Sequence, residues 1–143
     1  MIIRSRRVTS WAQHTGIDLH RLEDTLAAWG CRAAWVFGST VRGDDEAGSD
    51  IDIAVITAPC GSPPVHPPAA FAVQARLPIE WHCWSDMPSA LRAEATATGV
   101  VLFEAAPGEA ERLTREVLAA WRRDAPARAQ RRAAELADAQ QLR

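Results

Sequence analysis

Apolar positions along the chain keep two different periods. Leu19, Leu22, Leu26 and Trp29 recur at i, i+3, i+7 and i+10, the spacing of one helix face. Asp18 is placed to cap that helix and Gly30 to stop it. Ala33–Phe37 is an unbroken apolar run and predicts a short buried strand. Gly38-Ser39 interrupts it, a short helical turn is expected from Ser39, and the polar stretch 44–49 reads as a loop. Ile51, Ile53 and Val55 then alternate with Asp50, Asp52 and Ala54, so the period changes to two and predicts a strand from Asp50 to about Thr57. The segment 59–68 holds five of the nine prolines, which predicts an exposed, irregular connection. Alternation returns with Leu77, Ile79, Trp81 and Cys83 against Pro78, Glu80, His82 and Trp84, a further strand. A helix is expected over 86–98, starting at Asp86 or Ser85 and ended by Gly99, followed by a strand over Val100–Phe103. The last strong stripe is Ala110, Leu113, Val117 and Trp121, a helix from about Gly108 to Asp124. Pro126 permits a fresh helix start, and 127–143 is helix-prone but weakly apolar. Residues 1–17 receive no assignment.

Interleaved helices and strands predict an α/β (α+β) fold with a small mixed sheet and helices packed on it. At 143 residues the chain has room for one domain: an N-terminal extension over 1–17, a core over 18–106 and a C-terminal helical extension over 107–143. Apolar residues make up 48% of the chain, enough for a core. The longest apolar runs fall far short of the ~20 residues that span a bilayer, so no membrane association is expected. Cys31, Cys60 and Cys83 are widely spaced and form no CxxC pair, which signals neither a disulfide framework nor a zinc site. A reducing, cytoplasmic compartment is expected. The formal net charge of −2 argues against nucleic acid as the main partner. All 16 basic residues are Arg and tyrosine is absent, so no mechanism here can rest on a lysine or a tyrosine.

The candidate chemistry lies between residues 36 and 53. Asp50 and Asp52, at i and i+2 on a strand, point to one face while Ile51 and Ile53 point to the other. Two carboxylates ~7 Å apart along a strand can share a hard cation such as Mg²⁺; without one they repel. Gly38-Ser39, between a strand and a helical turn, offers free amide groups and lets a phosphate approach the main chain. The Ser39 hydroxyl can add a hydrogen bond, and Arg42, one turn on, either reaches the same anion or forms a salt bridge to Asp44 or Asp45. A phosphate cradle beside a carboxylate pair is a candidate nucleoside-triphosphate site. His82 shares a face with Glu80, which allows it to sit near the site, but it reads first as a solvated strand histidine. Trp81 and Trp84 are read as packing residues rather than base-stacking ones.

The pattern resembles the minimal nucleotidyltransferases of the DNA polymerase β-like superfamily, whose signature is GS, ten residues, then DxD. Gly38-Ser39 is followed here by residues 40–49 and then by Asp50-Ile51-Asp52. The resemblance is specific over about 33–57 and extends loosely to about 104. It implies a third carboxylate on a later strand, for which Glu80 is the candidate, Glu standing where the family more often has Asp; Asp86 is the rival but reads better as a helix cap. It also implies two-metal transfer of a nucleotide. Asp50 and Asp52 hold the triphosphate's metal, and Asp52 with Glu80 holds a second. An acceptor hydroxyl attacks the α-phosphate, and pyrophosphate leaves against Gly38, Ser39 and Arg42. ATP is the expected donor.

The short length most resembles the standalone antitoxin-type members that pair with a HEPN toxin and add AMP to it. On that reading the acceptor is a hydroxyl on the partner protein. If it is a tyrosine, this chain cannot modify itself there. Two alternatives stay open: a nucleotidyltransferase for an aminoglycoside-like small molecule, and an antitoxin that works by binding alone. The sequence leaves the oligomeric state open, a homo-oligomer included, as well as the role of the Arg-rich C-terminal stretch.

Overall fold

A computed structural model describes residues 1–57 and 75–142. The connection expected over 59–68, with Cys60 and His66, lies outside the described residues. Four strands form one mixed sheet: β1 (Ala33–Phe37), β2 (Ile51–Ile56), β3 (Ile79–Cys83) and β4 (Val100–Glu104), in the order β3-β2-β1-β4. β1 is antiparallel to both β2 and β4, whereas β2 and β3 run parallel. Among the described residues six helices accompany the sheet: α1 (Arg6–Thr15), α2 (Leu19–Ala28), α3 (Ser39–Arg42), α4 (Ser89–Thr98), α5 (Glu109–Arg123) and α6 (Ala125–Gln141).

Alternation along the strands sorts the core into two layers. Ala34, Val36, Ile51, Ile53, Val55 and Leu102 pack with Val8 and Trp11 of α1 and with Leu22 and Leu26 of α2. On the opposite face, Ala33, Trp35 and Ile56 meet Ala110 of α5, and Phe37 and Ala54 meet Ala95 of α4. β1 lies between these layers and every one of its residues is buried. Trp35 is fully buried and stacks on Trp84, with ring centroids 5.2 Å apart. Trp81 makes an edge-on contact with Trp29 at 5.5 Å. Both tryptophans considered for base stacking therefore pack against the protein's own rings.

Residues 1–17 form an ordered part of this core. Ser5 caps α1 by accepting from Val8 N, and Gly16 closes it in the left-handed conformation. The buried positions are Val8, Trp11, Ala12 and Thr15, at i, i+3, i+4 and i+7. Ile2 bridges to Phe103 beside β4. α2 starts as expected, with Asp18 Oδ1 accepting from His20 N and Arg21 N at 3.0 and 3.2 Å.

Two boundaries differ from expectation, both because of proline. The expected strand from Leu77 begins at Ile79. Pro78 has no N–H to give the ladder, and only its carbonyl takes part, accepting from Ile51 N at 2.7 Å. The helix expected from Asp86 starts at Ser89. A residue before proline is pushed out of the helical region, so Met87 is extended with ψ 131°. Trp84–Asp86 forms a separate 3-10 turn.

Candidate active site

The site residues gather at one end of the central strands. β1 runs into Gly38, which starts α3 with φ 85° and ψ −160°, a region essentially restricted to glycine. A second constraint acts on the same residue, since a Cβ at Gly38 would collide with Asp52 Oδ2. Glycine is thus required by the turn, and its bare main chain also admits the Asp52 carboxylate, which a Cβ would force to turn away. Ser39 is the first residue of α3, where amide groups have no carbonyl one turn earlier to donate to. Gly38 O accepts from Val41 N and Arg42 N at 3.2 and 3.1 Å. Thr40 is buried and accepts from Trp11 Nε1 at 3.2 Å, which fastens α3 to α1.

Arg42 is exposed and pairs with Asp44 at 3.3 Å and Glu94 at 3.5 Å. The loop that follows is tied down at Asp45, whose two carboxylate oxygens both lie 2.9 Å from His14 Nε2. Ser49 Oγ accepts from Glu46 N at 2.8 Å. Asp50 is exposed and stands one residue before β2.

Parallel pairing decides what Asp52 meets. With Ile51 opposite Ile79, Asp52 lies opposite Glu80 and Ala54 opposite His82. The alternation that sends Ile51, Ile53, Ile79 and Trp81 towards α1 and α2 turns Asp52, Glu80 and His82 to the other face. One ligand atom from each of these three lies within 4.8 Å of the other two. Asp52 Oδ1 is 2.9 Å from His82 Nε2, and both side chains are partly buried. The Phe37 ring backs the imidazole at 5.2 Å. Two carboxylates and an imidazole with converging donor atoms fit a divalent cation.

Among the expected residues, the structure brings Gly38, Asp52 and Glu80 together and starts α3 at Ser39. Asp50 falls outside the three-residue cluster, and Arg42 is engaged with acids. His82, expected to be solvated, is instead packed against Phe37 and hydrogen-bonded to Asp52. Its i+2 spacing from Glu80 was visible in the sequence, but the β2–β3 register that brings it to Asp52 was not.

The family model for polymerase beta, nucleotidyltransferase, matches residues 22–107, which include every site residue named above. Among solved structures, one described as a toxin-antitoxin with AMP-PNP is similar at 16% identity with a TM-score of 0.61, covering 78% of this chain and 94% of that one. Another, the toxin-antitoxin MntA-HepT, is similar at 14% identity with a TM-score of 0.54, covering 78% and 91%. No curated protein matches the chain significantly. No helix among the described residues is long and apolar enough to cross a membrane.

Proposed function

The chain belongs to the polymerase beta nucleotidyltransferase family, and from that premise we propose that it transfers AMP from ATP to a hydroxyl on a partner protein, a HEPN-type toxin that it silences. The observation that carries this reading is the Gly38 main chain pressed against Asp52, with Glu80 alongside. A phosphate cradle and a carboxylate pair then share one end of the sheet. The AMP-PNP named for one structural neighbour and the toxin-antitoxin pairing named for both support the donor and the partner. The reaction takes place in the cytoplasm, and the acceptor is held in part by the terminal helices.

Asp50, Asp52 and Glu80 are the residues that would hold Mg²⁺. When bound, the metal neutralises the transferred phosphate and makes the attacking hydroxyl more acidic. Gly38, lacking a Cβ, admits a phosphate oxygen to the amides at the start of α3 beside Asp52. The Ser39 hydroxyl donates to the same phosphate. Glu80 is exposed and accepts the proton of the incoming hydroxyl. Arg42 exchanges Asp44 and Glu94 for the leaving pyrophosphate. Exposed ion pairs contribute only about 0–1 kcal/mol each, so this exchange is inexpensive.

Incubation with ATP labelled at the α-phosphate tests the proposal. Label is expected on the partner protein, with release of unlabelled pyrophosphate. Label on an aminoglycoside instead would redirect the acceptor, and label on nothing, with nucleotide and divalent metal present, would overturn the reaction.

A further inference from the structure

We propose that His82 is itself a ligand of the metal site and biases it towards imidazole-accepting ions such as Mn²⁺ over Mg²⁺. The inference rests on the metal-dependent reading of the Asp52–Glu80 end of the sheet and adds a residue that the signature motif does not contain. His82 reaches the site through the fold. Parallel register sets it one pleat beyond Glu80, and alternation turns it to the face that carries Asp52. The Phe37 ring packs at a tilt against the imidazole, with ring centroids 5.2 Å apart.

The separation of Nε2 and Asp52 Oδ1, 2.9 Å, suits a hydrogen bond. It also suits two neighbouring ligands on an octahedral ion. Bonds of about 2.1 Å at right angles place ligand atoms about 3.0 Å apart. The distance leaves room for a shared ion between the two strands once the imidazole turns its Nε2 lone pair from the carboxylate to the ion. The donor set then changes character. Mg²⁺ prefers oxygen and water and gives up its waters reluctantly. Imidazole nitrogen suits first-row transition ions, and Mn²⁺, which is at home among carboxylates and waters, belongs to that series whereas Mg²⁺ does not. Asp52, Glu80 and His82 thus form a mixed oxygen–nitrogen site, where a pair of aspartates alone would be a pure oxygen site.

Electron spin-echo spectroscopy of Mn²⁺ bound to the full chain, with AMP-PNP present, tests the ligand directly. The expected spectrum shows coupling to one directly bonded imidazole nitrogen. His82→Gln, which keeps a hydrogen-bond donor towards Asp52 but removes the imidazole, is expected to abolish that coupling. It should also weaken Mn²⁺ binding by calorimetry about tenfold or more while changing Mg²⁺ binding much less. The wild-type spectrum needs no variant to fold. Mn²⁺ bound without nitrogen coupling would reduce His82 to a residue that merely positions Asp52, and would leave the proposed function standing. Absence of Mn²⁺ and Mg²⁺ binding altogether would overturn both.

Discussion

β1 and α6 are both rich in alanine, yet they end in opposite environments. Ala33 and Ala34 are completely buried within a strand that has a neighbour on each edge and a layer of helices on each face. α6 contains seven alanines among its 17 residues, and none of its residues is buried. Leu136 on α6 remains 60% exposed. Alanine is small enough for a crowded sheet and is also the best helix former, so its abundance says little about where a segment lies. Packing from both sides holds β1. α6 relies on helix propensity, on Pro126 in its first turn, and on one local clasp, Arg128 set 3.3 Å over the Trp121 ring and donating to Trp121 O at 2.6 Å. The candidate active site sits on the first kind of element. Its carboxylates are placed by a ladder that cannot shift without turning Ile51 and Ile53 out of the core.

That contrast can be broken most strongly at the centre of the sheet. Trp35→Ala removes the largest fully buried side chain and is expected to destabilise the fold by about 3–5 kcal/mol in urea unfolding. A loss under ~1 kcal/mol would mean that β1 is not the pivot of the core. Gly38→Ala comes next. Its backbone conformation and the carboxylate beside it both oppose a Cβ, and strain of about 1–3 kcal/mol is expected. Nucleotide binding by calorimetry should fall with it, and unchanged binding would separate the turn from the site.

Cys31 gives a smaller, pH-dependent effect. Burial pushes its thiol from 9.0 up to about 12, so the folded state holds the proton more tightly than the unfolded chain does. The associated stability is fully present below pH 9 and is lost as pH rises towards 12. Denaturation at about pH 10 should show a loss of about 1 kcal/mol relative to pH 8, smaller in Cys31→Ala, where of these two thiols only that of Cys83, also raised by burial, still contributes; an undiminished loss in that variant would place its source elsewhere. The smallest effect is expected on α6, where Leu136→Ala should change stability by no more than about 0.5 kcal/mol. A larger loss in the isolated chain would show that α6 has a packing partner.

Local signals were legible wherever a residue's fate depended on its sequence neighbours. The Asp18 cap, the alternation of Ile51, Ile53 and Val55, and the stripe of α5 are all of this kind. The α1 stripe of Val8, Trp11, Ala12 and Thr15 was not read, because Ala12 and Thr15 are weak apolar markers and basic residues surround them. Pro78 and Pro88 announced their own boundaries, yet the alternation before one and the polar residues before the other drew the predicted elements across them. The site was legible only in part. The spacing of Gly38-Ser39 and Asp50-Ile51-Asp52 marked its two halves, but the collision of a Cβ at Gly38 with Asp52 is a tertiary fact. Glu80 and His82 meet Asp52 through the parallel pairing of strands that are 22 residues apart in the chain. No local pattern specifies that pairing, and none predicts that Arg42 meets Glu94 on α4.

AMP transfer to a partner protein is proposed here for the end of the sheet that bears Asp52. It is tested most directly by intact mass spectrometry of the HEPN-type partner after co-expression with wild type or with Asp52→Asn. The account predicts that wild type adds the mass of AMP to the partner. Asp52→Asn should lower that modification by on the order of 10²–10³-fold in rate, while still folding and still binding the partner. Full modification by Asp52→Asn, or neutralisation of the toxin by wild type with no added mass, would contradict it.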